Sequence, residues 1–157
     1  MKKNKNNKGF TLIEILVVIG IIAILGTIVL IAINPARQFR QARNTQRESN
    51  INAILNAIGQ FTADNKGALP DEIDSTTGTF QDISSTEADL CDGTDSELVP
   101  TYIPSLPFDP EETVVDCVGA SYDTGYQVNK DADGRITVRA VAENLDGTGT
   151  FNLDVTR

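Results

Sequence analysis

The sequence predicts an α+β fold: a long, kinked N-terminal helix, membrane-suited in its first half, packed in its second half on a small antiparallel sheet. Three observations carry this. From Phe10 to Ile33 the chain is apolar or small apart from Glu14. Ile51, Ile54, Leu55, Ile58 and Phe61 then recur at helical spacing. Beyond Tyr122, runs rich in β-branched residues are separated by Asp/Gly turns. The expected boundaries are a leader over 1–9, a membrane half over 10–33, an amphipathic half over 34–63 and a head over 64–157.

The leader carries Lys2, Lys3, Lys5 and Lys8 and no acid. A secretory signal has an apolar segment of about 7–15 residues and then a small-residue cleavage site. Here the 24 residues Phe10–Ile33 are too many, and Ile31-Ala32-Ile33-Asn34-Pro35 is a poor cleavage site, so the span is expected to stay. As a helix it measures about 36 Å, enough for a hydrocarbon core of about 30 Å. Glu14 is the anomaly, because an acid at the centre of a membrane helix costs roughly 2.5–3.5 kcal/mol. It needs a partner or a shallow position. Arg37, Arg40, Arg43 and Arg47 balance the four leader lysines, so flanking charge gives no orientation. The cysteines and the acidic remainder point to a cytoplasmic N-terminus.

After the span, Pro35 removes a backbone donor and predicts a kink. Ala36 to about Thr62 is rich in helix formers. The four arginines form a stripe that could face acidic heads of neighbouring copies, solvent or lipid phosphates. The stripe Ile51–Phe61 is core seeking a surface. Asn65, Gly67 and Pro70 stop the helix. Residues 71–97 read as a surface loop anchored by Ile73, Phe80, Ile83 and Leu90, with one short helix near Ser85–Asp89. Val99–Pro110 holds four prolines and reads as an extended, apolar-pinned segment. Three strands follow, over Tyr122–Asn129, Ile136–Ala142 and Thr150–Thr156.

The net charge is −9, and without the leader 9 basic residues face 22 acidic ones. Such an acidic surplus argues against direct nucleic-acid binding. Cys91 and Cys117 are the only cysteines. In an extracytoplasmic head they have one possible pairing, worth roughly 3.5 kcal/mol for its 27-residue loop. In a reducing compartment they would be unrelated small residues. With no histidine and no third cysteine to complete it, a zinc site is not expected. Nothing forms a catalytic constellation, so the chain is not expected to be an enzyme.

Gly9-Phe10-Thr11-Leu12-Ile13-Glu14 followed by an apolar helix resembles the class III signal of type IV pilins and type II secretion pseudopilins. The resemblance implies cleavage between Gly9 and Phe10 by a prepilin peptidase, and N-methylation of Phe10. It also implies a pairing of Glu14 with the Phe10 amine of a neighbouring subunit during assembly. Pro35 lies where the family has a helix-breaking residue. The implied partners are copies of the chain and other pilins, the peptidase, an inner-membrane assembly platform with its ATPase, and the membrane itself. Some pseudopilins of the major type bind calcium near their C-terminus. Asn129, Asp131 and Asp133 offer a weak counterpart here, and Tyr102–Pro110 also resembles that group. An EF-hand loop's further ligands are missing, so no cofactor is expected and a plain hairpin turn is the simpler reading.

The expectation is therefore a structural subunit of a filament serving adhesion, motility or DNA uptake. A pseudopilin is the alternative within the family. A single-pass anchored binding domain that never polymerises is the alternative outside it.

Overall fold

A computed structural model describes residues 9–73, 78–91, 98–114, 117 and 121–157. Most of the leader, including its four lysines, lies outside the described residues. The chain forms α1 (Leu12–Ile33), α2 (Pro35–Asp64), β1 (Gln81–Ser84), β2 (Asp123–Lys130), β3 (Ile136–Glu143) and β4 (Thr150–Thr156). It divides into two units, Met1–Gln38 and Phe39–Arg157.

In the first unit α1 buries none of its residues, although nearly all are apolar. It is long and apolar enough to cross a membrane. Its few polar groups are satisfied locally. The Thr27 hydroxyl donates to the Ala23 carbonyl at 2.9 Å, the partner a hydroxyl needs where water is absent. The expected kink at Pro35 is a full break. Asn34 adopts a left-handed conformation, φ 47°, and ends α1. Its carbonyl and side-chain oxygen then accept the Arg37 amide, so it also caps α2. Pro35 takes the first helical position, where its missing N–H costs nothing.

In the second unit the sheet is antiparallel in the order β1-β2-β3-β4. Tyr126 lies opposite Ala140 and Val128 opposite Val138. With period-two alternation, these residues and Ile136 point to one face. The stripe Ile51, Ile54, Leu55, Ile58 and Phe61 of α2 joins them in one buried core. The outer face is polar. There Arg139 pairs with Asp154 at 2.7 and 2.8 Å and stacks 3.6 Å above the Phe80 ring. The stop signals act as read: Gly67, at φ +94°, donates back to the Thr62 carbonyl, and Asn65 to that of Phe61.

The three expected strands form, β2 and β3 each within a residue of the expected bounds. The loop between helix and sheet differs in three places. Gln81–Ser84 is a strand, pairing with β2 through an irregular register. Ser85–Asp89 is a turn and not a helix: the Ser85 amide donates to the Tyr122 carbonyl and the Ala88 amide to that of Asp82. The proline-rich segment is extended only in its second half. Its first half turns tightly, with the amides of Tyr102 and Ile103 both donating to the Leu98 carbonyl. Ile73, Ile83 and Leu90 are buried as read, whereas Phe80 is only half-buried and lies beneath Arg139.

Candidate functional site: the N-terminal segment and the helix–head junction

Thr11-Leu12-Ile13-Glu14 has the spacing of a capping box, in which a threonine and a glutamate three residues on satisfy each other's backbone amides. The Thr11 hydroxyl oxygen accepts the Glu14 amide at 3.3 Å. The Glu14 carboxylate accepts the Thr11 amide at 2.7 Å and the Thr11 hydroxyl at 2.8 Å. An acid here also faces the positive end of the helix dipole. The one carboxylate in the apolar run thus has a partner within its own chain. The signal lies in the sequence as a Thr-x-x-Glu spacing. Phe10, just before the helix, is 85% exposed.

The arginine stripe gives the main correction in the second unit. Arg40, Arg43 and Arg47 grip carboxylates of their own head, Arg47 from a buried position and Arg40 and Arg43 from partly exposed ones. Arg47 is 2% exposed. It donates to Asp109 at 2.6 and 2.9 Å, to Glu143 at 2.9 Å and to Glu111 at 2.9 Å. Arg43 makes a two-pronged contact with Glu143 and lies 3.6 Å from Glu111. Arg40 reaches Glu143 at 3.9 Å. Hydrogen bonding from Arg43, with further help from Arg47, holds the Glu143 carboxyl down to about 2. Hydrogen bonding to Asp109 chiefly raises the Arg47 pKa.

Two asparagines complete the junction. Asn44 imitates a paired strand residue: its amide nitrogen donates to the Glu143 carbonyl at 2.7 Å, and its oxygen accepts the Glu143 amide at 2.9 Å. Asn50 donates to the Phe108 carbonyl and to the Tyr126 hydroxyl. Burial pushes Tyr126 up to about 12. The 109–112 loop lies so close to β2 that a Cβ on Gly125 would sit 2.9 Å from the Asp109 Cβ. That close approach, at φ +74°, delivers Asp109 to Arg47.

Cys91 and Cys117 form a disulfide, Cα atoms 6.1 Å apart. The Tyr122 hydroxyl and the Cys91 amide both donate to Asp89, tying the start of the disulfide loop to the residue before β2. Asn129, Asp131 and Asp133 are engaged elsewhere. Asn129 is buried and donates to the Thr79 carbonyl. Asp131 accepts the amides of Asp133 and Arg135 and the Arg135 guanidinium at 2.8 Å. This is the bonding of a hairpin turn, with Arg135 where a cation would compensate the charge. Among the described residues no three acidic or cysteine side chains could hold a metal ion together.

No curated protein and no solved structure matches the chain. Residues 4–30 match the family model described as the prokaryotic N-terminal methylation motif. The matched stretch contains Gly9, Phe10, Thr11 and Glu14 and most of the apolar run. The chain carries, over those residues, the class III signal that is the signature of type IV pilins and pseudopilins.

Proposed function

We propose that the chain is a structural subunit, cut between Gly9 and Phe10 on the cytoplasmic side, methylated on the new Phe10 amine, and polymerised through α1 into a filament. The observation that supports this best is the union of the methylation motif with an apolar helix that buries nothing within its own chain. Such a helix needs lipid before assembly and other subunits after it. A heterologous contact that does not close then makes a fibre. In the isolated subunit Glu14 is held by Thr11. On assembly it would exchange that contact for the Phe10 amine of a neighbour, since a cation in a low-dielectric bundle outweighs a neutral hydroxyl. The work of extraction falls to an inner-membrane platform and its ATPase, and the chain itself is not an enzyme. Adhesion, motility and DNA uptake are the roles such a filament serves.

The experiment is intact mass with N-terminal sequencing of material sheared from the cell surface. A chain beginning at N-methyl-Phe10 and lacking two protons for the Cys91–Cys117 bridge is the expected result. A chain retaining Met1–Gly9 and confined to membranes would replace this reading with an anchored binding domain. A processed chain absent from the surface would identify a pseudopilin.

A further inference from the structure

β4 ends the sheet, and among the described residues no strand pairs with its outer edge. Proteins ordinarily blunt such an edge with lysine, proline, a bulge or brevity. Thr150–Thr156 has none of these: seven residues, no lysine or proline, and an uninterrupted register against β3. Its one charge, Asp154, is compensated by Arg139. The orientation of its backbone follows from the ladder. Ile136 and Arg157 exchange both backbone hydrogen bonds, at 2.8 and 3.0 Å. Such pairs alternate in an antiparallel ladder. Hence Phe151, Leu153 and Val155 bond inward to β3, while Thr150, Asn152, Asp154 and Thr156 turn their amides and carbonyls outward.

We propose that this edge pairs with the same edge of a second copy, antiparallel about a two-fold axis through Leu153. The strand reads almost alike in both directions, as Thr-Phe-Asn-Leu-Asp-Val-Thr. Centred on Leu153, the pairing sets Thr150 opposite Thr156 and Asn152 opposite Asp154, all with outward backbone groups free to bond. Phe151 lies opposite Val155 and Leu153 opposite itself, on the core side of the sheet. Phe151 is 44% exposed there, so the pairing would cover apolar surface as well as backbone. Charge selects this register. Moving the axis to Asp154 would oppose two carboxylates, whereas here each Asp154 meets an amide donor. Arg139 of the same chain already compensates that carboxylate. The contact is closed, so it adds no length to a fibre. It joins two heads of separate filaments or of unassembled subunits, since a two-fold contact does not fit within one polar fibre, and it does not depend on the proposed processing of the leader.

The test uses the full chain in detergent micelles, with analytical ultracentrifugation and mild oxidation of single-cysteine additions. Facing residues of a non-hydrogen-bonded pair have Cα atoms about 4.5 Å apart, within disulfide range. Leu153→Cys is therefore expected to give a cross-linked dimer. Phe151→Cys places the two thiols four residues apart along the strand, about 13 Å, and is expected to give none. Asn152→Asp leaves the core untouched and opposes like charges twice by symmetry, weakening association about five- to thirtyfold. Asn152→Lys is expected to retain it. A monomer at every concentration, equal cross-linking at 151 and 153, or indifference to the charge at 152 would each overturn the proposal.

Discussion

Replacing Arg47 by methionine tests the helix–head junction directly. The guanidinium is almost fully buried, and three carboxylates depend on it unequally. The Glu111 side chain is 57% exposed and would rehydrate. Glu143 keeps Arg43 and, at longer range, Arg40. Asp109, its side chain 10% exposed, loses its two-pronged partner. Removing one member of a buried pair costs about 3–5 kcal/mol. With only Asp109 left without a cation, and that carboxylate still accepting the Glu111 amide, the lower end applies, about 3 kcal/mol. For a head of this size that lowers Tm by about 12 °C. The assay is thermal unfolding of the full chain in micelles, followed by near-ultraviolet circular dichroism with the disulfide intact. Arg40→Met is the control, because a 3.9 Å pair on a partly exposed side chain is worth under about 1 kcal/mol. Adding Asp109→Asn to Arg47→Met should restore about 1–3 kcal/mol, since the stranded charge is gone. Equal losses in Arg47→Met and Arg40→Met, or no recovery in the double variant, would refute the reasoning.

Acid should loosen the same junction. The Glu143 pKa is about 2 in the folded head and near 4.5 when unfolded. Its contribution is therefore complete above about pH 5 and is lost as pH falls through 2. Denaturant melts between pH 5 and 2 should show a shallower decline in Glu143→Gln than in the parent. Gly125→Ala places a Cβ against Asp109 at positive φ. A loss of about 1–3 kcal/mol in chemical denaturation is expected, and a neutral result would mean that the 109–112 loop is not pinned as described. Replacing both cysteines by serine should cost roughly 3.5 kcal/mol for the opened loop, read as a fall in the denaturant midpoint. Thr11→Val should speed amide exchange at residues 11–14 of the micelle-bound chain, and unchanged exchange would remove the cap from the account.

The elements that follow from local chemistry were legible in the sequence. Composition defines α1, and spacing gives the stripe Ile51–Phe61. Turn residues bracket β3 and β4 so closely that their bounds could be read within a residue. What escaped depends on distant partners. Gln81-Asp82-Ile83-Ser84 has one apolar residue and little strand propensity, and becomes a strand because β2 offers it an edge. The arginine stripe was plain, but its target was not: Asp109, Glu111 and Glu143 lie 62 to 103 residues away in sequence, from Arg47–Asp109 to Arg40–Glu143. In an acidic chain no counting rule selects those three carboxylates. Asn34 was missed for another reason. Proline is the helix breaker by composition, while the residue before it takes the left-handed conformation that ends one helix and caps the next.

The arginines also fit the demands placed on α2 by what precedes it. α1 is about 33 Å long, already matched to a hydrocarbon core of about 30 Å. Had α2 docked on the head through an apolar stripe from its first turn, the run suited to lipid would have continued past Asn34 and Pro35. The hydrophobic boundary would then be poorly defined. Docking by guanidinium groups avoids this, because residues 37–47 are costly to bury in lipid until the head has folded and supplied Asp109, Glu111 and Glu143. Only from Asn50 onward, beyond the reach of the span, does α2 turn to apolar contact with the sheet. The buried Arg47 then adds, beyond the break at Asn34 and Pro35, a polar division between the apolar α1 and the apolar stripe of α2.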